Sequence, residues 1–317
     1  MRWIIAALFS AVLFWPSQSK AWSNPGHATV CQIAYERLTD TARTAVDNLV
    51  RNGPWGKFGN TPREGPYPTF AQACTFPDNP HDRDSEHYVN YDRALRQVTQ
   101  NSLCAPGILC IYSAIDNDLA ILTAPWASDI RRGAALFYLG HWVGDLHQPL
   151  HVSFEDDRGG SGVRTTGVCG DGGLHSVWDR CIVERVFRDL RPASGPLPST
   201  TSSNQWSNAR IAGTELEGVI TAAQAAMWLA SQEPWQWAAE SWVIALRPDV
   251  QYCFDHEGQE CWYGPSSRVL TEASSRTVDV TDGYVNGFKD EVTLRLQQAG
   301  VRLAHVLNTA LDPVYHP

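Results

Sequence analysis

The sequence has no excess of positive charge. Its 25 Lys and Arg stand against 34 Asp and Glu, a formal net charge of −9. No global field therefore draws the chain to a polyanion, which counts against a sequence-reading binder that neutralises phosphates with basic side chains. It does not count against an enzyme whose bound metal supplies positive charge locally. No C-x-x-C pair occurs among the eight cysteines, so thiolate zinc sites of that spacing are absent. Beyond the first residues no apolar run is long enough to span a bilayer. Internal repeats, long low-complexity tracts and N-x-Ser/Thr acceptor signals are also missing. No stretch alternates polar and apolar residues long enough to demand a sheet.

What is present is an ordinary globular composition, 43% hydrophobic and 19% charged over 317 residues. That length suits one large domain or two ordinary ones with a sizeable core. Arg2, the apolar run Ile4 to Trp15 and the small residues of Ser19-Lys20-Ala21 form the three parts of a secretory signal peptide. A membrane anchor is the competing reading, but the run is too short. Cleavage after Ala21 makes Trp22 the mature N-terminus and divides the chain into a leader, 1–21, and one domain, 22–317. Export to the periplasm or the medium agrees with an even number of cysteines. Sequence leaves their connectivity open. Short loops favour Cys104–Cys110, Cys169–Cys181 and Cys253–Cys261, with Cys31 and Cys74 remaining.

Helical spacing runs over 28–50, 114–122, 130–146, 177–190, 213–230, 235–246 and 282–311. Pro149 forbids continuation of the third. Segments 53–68 and 191–207, rich in Gly, Pro, Ser and Thr, read as surface loops. The most informative stretch is GHWVGDLHQPLH, residues 140–151. His141 and Asp145 stand four apart on one helix face, and His151 lies past the proline, where the chain is free to turn back. His175 and Asp179 in GLHSVWD repeat the four-residue spacing. One such pair is commonly accidental. Two pairs and an H-x-x-x-D-x-H-x-x-x-H run, with imidazole and carboxylate donors and no thiolate, point to catalytic zinc.

Together with Gly159-Gly160, these motifs resemble the signature of the single-strand-specific zinc nucleases (the S-one/P-one type). WSNPGH at 22–27, FPD at 76–78, EHYVN at 86–90, CAPGILCIYSAI at 104–115 and AGVRLAHVLN at 299–308 extend the resemblance over nearly the whole mature chain. It implies an all-α fold of the phospholipase C/nuclease type, a single helical bundle with three zinc ions in a cleft. One zinc would take Asp78, His87, His141 and Asp145. A second would take His151, His175 and Asp179. The third would take the α-amine and carbonyl of Trp22, His27 and a shared Asp145. An α-amine is a ligand only when free, so processing of the leader is part of the site. A hydroxide bridging two zincs would be the nucleophile, since bound zinc lowers the pKa of water to about 7, with Asp78 and Asp145 orienting it. The substrates implied are single-stranded DNA, RNA and 3′-nucleotides, and the protein would act as a monomer without stable membrane association.

Tyr88 holds the place of an aromatic that stacks on a nucleobase, which suits unpaired strands because their base faces are open. An ordinary rim aromatic is the competing reading. Asn90 stands where fungal members carry Asp. Further departures are Ser161 in place of the Asn of a GGN motif, Gly173 before Leu174 where N-L-H is usual, and a shorter loop between Asp78 and His87. His81 stands in place of a basic residue, with Arg83 nearby. His147 reads as a support rather than a ligand, Glu240 as a helix cross-link, and His256, His305 and His316 as solvated or structural.

Two other functions compete. A zinc phospholipase C uses a similar three-zinc cluster and begins with tryptophan, but typically ends its ligand set with Glu where this chain has Asp179. It also lacks the D-x-H-Q-P-L-H wording. A non-enzymatic zinc-binding protein of the periplasm would close its coordination spheres, whereas this ligand set leaves room for water.

Overall fold

The computed structural model describes residues 22–316 apart from 55–56, 59–60, 63–64, 80, 193–194, 196, 198–203, 256–259, 265–266 and 270–275. The proposed leader, 1–21, and His256 lie outside the described residues. The helices are α1 (Asn24–Glu36), α2 (Asp40–Asn52), α3 (Phe70–Ala73), α4 (Ile111–Thr123), α5 (Asp129–Leu146), α6 (Leu174–Ser176), α7 (Ile182–Asp189), α8 (Gln205–Gly218), α9 (Ala222–Leu229), α10 (Pro234–Ala245) and α11 (Asp282–Leu311). The fold is all-α in class, as expected. Short ladders link the helices: β1 (Lys57–Phe58) with β2 (Thr61–Pro62), β3 (Val89–Tyr91) with β4 (Val152–Phe154), β6 (Gly172–Gly173) with β5 (Arg164–Gly167) and β9 (Thr277–Val280), and β7 (Phe254–Asp255) with β8 (Cys261–Trp262).

Helix α5 is central. Ser128 caps its start by accepting from the Arg131 N–H at 3.4 Å, and every residue from 139 to 154 is buried. A helix apolar on all sides is stable only when surrounded, and α1, α2, α4, α10 and α11 all pack on it. The histidine-rich motif is therefore core rather than surface. Helix α11 spans the molecule and buries most of its length from Val292 to Asn308.

Two expected helices divide. The run 28–50 breaks after Glu36 because the Thr39 hydroxyl caps a new helix, accepting from the Ala42 N–H at 3.1 Å. Asn308 of α11 completes the break, accepting from the Thr39 N–H at 2.9 Å and donating to the Arg37 carbonyl at 3.1 Å. The run 213–230 divides likewise, where Thr221 and Gln224 form a reciprocal capping box. Helix α8 also starts at Gln205, inside the segment read as loop.

The four disulfides are Cys31–Cys74, Cys104–Cys110, Cys169–Cys181 and Cys253–Cys261, the pairing that the short loops favour. The first ties α1 to the end of α3. Among the described residues no helix is long and apolar enough to cross a membrane.

Candidate metal centre

Four segments converge on one buried cluster. His27 comes from the first turns of α1, where Pro25 suits the helix start. Asp78 and His87 flank the turn after α3, and α5 contributes His141 and Asp145. A short turn after Gln148 supplies His151. His175 and Asp179 sit on the run from α6 to α7, which winds into a π turn at Val177–Cys181, a local widening frequent at functional sites. The parallel pairing of β3 with β4 sets Val89 opposite Val152 and Asn90 opposite Ser153, which joins the segment after His87 to the one after His151.

The donor atoms form four groups of three, of which all but His151, His175 and Asp179 share members. Asp145 Oδ2 lies 3.2 Å from His87 Nδ1 and 3.4 Å from His141 Nε2, while its Oδ1 lies 3.2 Å from His27 Nε2. Asp78 Oδ1 is 3.8 Å from His141 Nε2 and 3.9 Å from His87 Nδ1. In the remaining group Asp179 Oδ2 lies 3.4 Å from His175 Nε2, and Asp179 Oδ1 lies 3.8 Å from His151 Nε2. The two imidazoles approach to 2.9 Å. Tetrahedral zinc with ligands at about 2.0–2.1 Å separates those ligands by roughly 3.3 Å, so the spacings are those of a coordination sphere.

The far side of four of the rings is fixed by backbone. His141 Nδ1 donates to the Cys74 carbonyl at 2.8 Å, His151 Nδ1 to His87 at 2.7 Å and His175 Nδ1 to Gly159 at 2.6 Å, while His87 Nε2 donates to Asp82 at 3.0 Å. Each bond sets the tautomer and leaves the other nitrogen bare toward the cluster, as metal-ligating histidines require. Gln148 Nε2 donates to Asp179 Oδ1 at 2.5 Å. His27 stacks on His141 with ring centroids 3.6 Å apart. Glycine at 144 makes room for it, since a Cβ there would stand 2.9 Å from His27 Nδ1.

The electrostatics call for cations. Both oxygens of Asp145, Asp78 Oδ2 and both nitrogens of His27 are buried without a hydrogen bond. Burial, reinforced by Asp78 and Asp179, pushes the Asp145 carboxyl well above its usual range. Burial likewise pushes Asp179 up to about 8. His151 falls to about 4, and His27, His87, His141 and His175 are also lowered, each chiefly by burial. The imidazoles are thus held neutral, the form that ligates, and the carboxylates have no buried cationic side chain beside them. Buried charge of this kind is stable only when paired or bound to metal. Neutral nitrogen with carboxylate oxygen fits zinc.

Trp22 is wholly buried, and its indole donates to the Gly144 carbonyl at 2.8 Å. The next residue anchors to the second group, Ser23 N donating to the Asp179 carbonyl at 2.8 Å. The start of the described chain is therefore held between the backbones of α5 and the π turn that carries Asp179. Sequence reasoning overlooked His81 as a member of the cluster. Its Nδ1 is 3.1 Å from Asp78 Oδ1, and its Nε2 is 3.2 Å from Asp84. The three-residue step from Asp78 was the available signal. Arg83 is held between Asp118, at 2.8 Å, and Glu86, over the ring of Tyr138. His147 donates to the Val143 carbonyl at 2.7 Å and accepts from Arg302 at 2.8 Å, and Glu240 pairs with Arg295 and Arg302.

Above the cluster opens a cleft of about 470 Å³ whose lining includes Tyr88, Asn90, Ile108, His151, Arg158 and His175. Tyr88 is 38% exposed, and Asn90 accepts from the Ser153 hydroxyl at 3.3 Å.

The S1/P1 Nuclease family model matches residues 22–312. Endonuclease 2 of Arabidopsis thaliana is 26% identical over 304 residues, 90% of this chain and 89% of its own. Endonuclease 1 of the same plant is 25% identical over 324 residues, 96% and 92% of the two chains. Nuclease S1 of Aspergillus oryzae is 27% identical over 172 residues, 52% and 55%.

Proposed function

The chain belongs to the S1/P1 nuclease family, and from that membership we propose a secreted, three-zinc endonuclease that cuts single-stranded DNA and RNA and removes phosphate from nucleotide 3′ ends. The observation that carries this reading is the buried set of neutral imidazoles and unpaired carboxylates at ligand spacing under an open cleft. Residues 1–21 act as its leader and 22–317 as one domain that works as a monomer.

Asp145 directs one oxygen toward His27 and the other toward His87 and His141, an arrangement that would let it serve two ions. Asp78, His87 and His141 complete one set. His151, His175 and Asp179 form the second. The freed amine and carbonyl of Trp22 complete the third with His27. Bound zinc supplies an activated water at neutral pH and compensates the charge of the phosphate. The chain's own part is to fix these donors, with the outer nitrogens of His87, His141, His151 and His175 tied to backbone, and to orient the water through Asp78 and Asp145. Tyr88, half exposed in the cleft, offers a ring face to an unstacked base, an interaction of about 1–3 kcal/mol, and Asn90 meets the base edge.

The test offers the mature protein single-stranded DNA, duplex DNA, RNA, a 3′-mononucleotide and phosphatidylcholine in parallel. Turnover of the single strands and the 3′-nucleotide, with duplex spared, is expected. Lipid turnover alone would replace this reading with a phospholipase, and metal uptake without turnover would leave a zinc-binding protein.

A further inference from the structure

Arg158 has a backbone that its side chain does not explain. Its φ is 54°, the left-handed region that long side chains rarely occupy and that persists where surroundings impose it, often at functional sites. Here the surroundings are rigid. Arg158 N donates to the Glu155 carbonyl at 3.2 Å, and the Arg158 carbonyl accepts from Ser161 N at 3.2 Å. The preceding residue, Asp157, is buried, accepting from Gly160 N at 2.9 Å, from the Tyr252 hydroxyl at 2.8 Å and from Arg93. The following residue, Gly159, lends its carbonyl to His175 at 2.6 Å. One turn thus fixes a candidate zinc ligand and places Arg158 on the cleft wall beside it.

Among the described residues that line the cleft, Arg158 is the one Lys or Arg. Its guanidinium forms no hydrogen bond or ion pair with another of the described residues, while Arg83 and Arg93 are both consumed by carboxylates. The same walls carry Asp84 and Glu155, in a chain of net charge −9. A polyanion entering the cleft meets Asp84 and Glu155 as repulsive groups and, among the described lining side chains, Arg158 as the one permanent cation. A guanidinium presents a planar fork of donors that matches two oxygens of one phosphate.

We propose that Arg158 grips a phosphate of the bound strand beside the His151–His175–Asp179 group, a substrate-positioning contact that takes the place of the family's basic residue at His81. This rests on the reading that a polynucleotide occupies the cleft.

The experiment compares wild type, Arg158→Asn and Arg158→Lys on a single-stranded oligonucleotide over a range of salt, with zinc content and Tm measured on each. Asparagine tolerates left-handed backbone, so the fold and zinc content should hold. KM should rise roughly tenfold, as for loss of one charge-assisted contact, with kcat within about twofold. The slope of log kcat/KM against log salt should flatten by about one, and Lys should recover part of both. Unchanged KM and slope in a wild type that cuts the strand would overturn the contact alone. Loss of zinc or of Tm along with activity would make Arg158 structural and overturn it too. A wild type that does not cut the strand would remove the functional reading and this inference with it.

Discussion

Asp145 is the residue on which the site turns, because its two oxygens face different imidazoles and neither is hydrogen-bonded. Asp145→Asn keeps the size and removes the charge. It should lower zinc content and cut kcat/KM by about 10³-fold, the order seen when a preorganised charge contact is lost; wild-type activity at full metal content would contradict this. Tyr88→Ala should instead raise KM with zinc retained. In the metal-free chain Asp179 gives a pH signature. Its folded pKa of about 8 exceeds the ordinary 3.8, so the folded state keeps a proton that the unfolded chain releases, and stability is lost as pH rises between the two. The histidines act in the opposite sense, but below 6.5, because His151 falls to about 4. From pH 6.5 to 8 the carboxylate effect stands alone, and chelated protein should lose about 2 kcal/mol. Thermal melts should show this fall for wild type and a smaller one for Asp179→Asn, where Asp145, also raised by burial, remains. That His141 with Asp145 and His175 with Asp179 come together was legible, because four-residue spacing places two side chains on one helix face. His81 was not, since only the fold turns it back onto Asp78.

At the scale of elements, helix type and most cores were readable, because apolar periodicity persists over 130–146 and 282–311. The breaks were not. Periodicity runs through residues 37–39, and the helix ends there only because Thr39 caps a new start and Asn308, 269 positions away, satisfies the exposed backbone. The β3–β4 pairing was equally hidden, since three-residue strands carry no pattern. Gly144→Ala favours an isolated helix by about 1 kcal/mol, yet its Cβ would press on His27 at 2.9 Å. Zinc retention should therefore fall without loss of helicity by circular dichroism. Paired Ser replacements of Cys31 and Cys74 release a 43-residue separation, worth about 4 kcal/mol in chain entropy, and should lower both Tm and zinc content. The same change at Cys104 and Cys110 opens a cleft-wall loop of separation 6 and should move KM more than zinc.

For the whole molecule, the proposed function would have an acidic protein meet a polyanion through metal at the floor of the cleft and Arg158 on its wall rather than through a basic surface. On the proposed cleavage after Ala21, Trp22 would offer a free amine from its seat between Gly144 and the segment near Asp179, and a residue retained before it should leave two zincs in place of three. The most direct measurement is native mass spectrometry of the mature chain, paired with single-strand hydrolysis before and after chelation. Three zincs, with turnover that vanishes on chelation and returns when zinc is restored, is the expected result. Turnover that persists in metal-free protein would contradict the account.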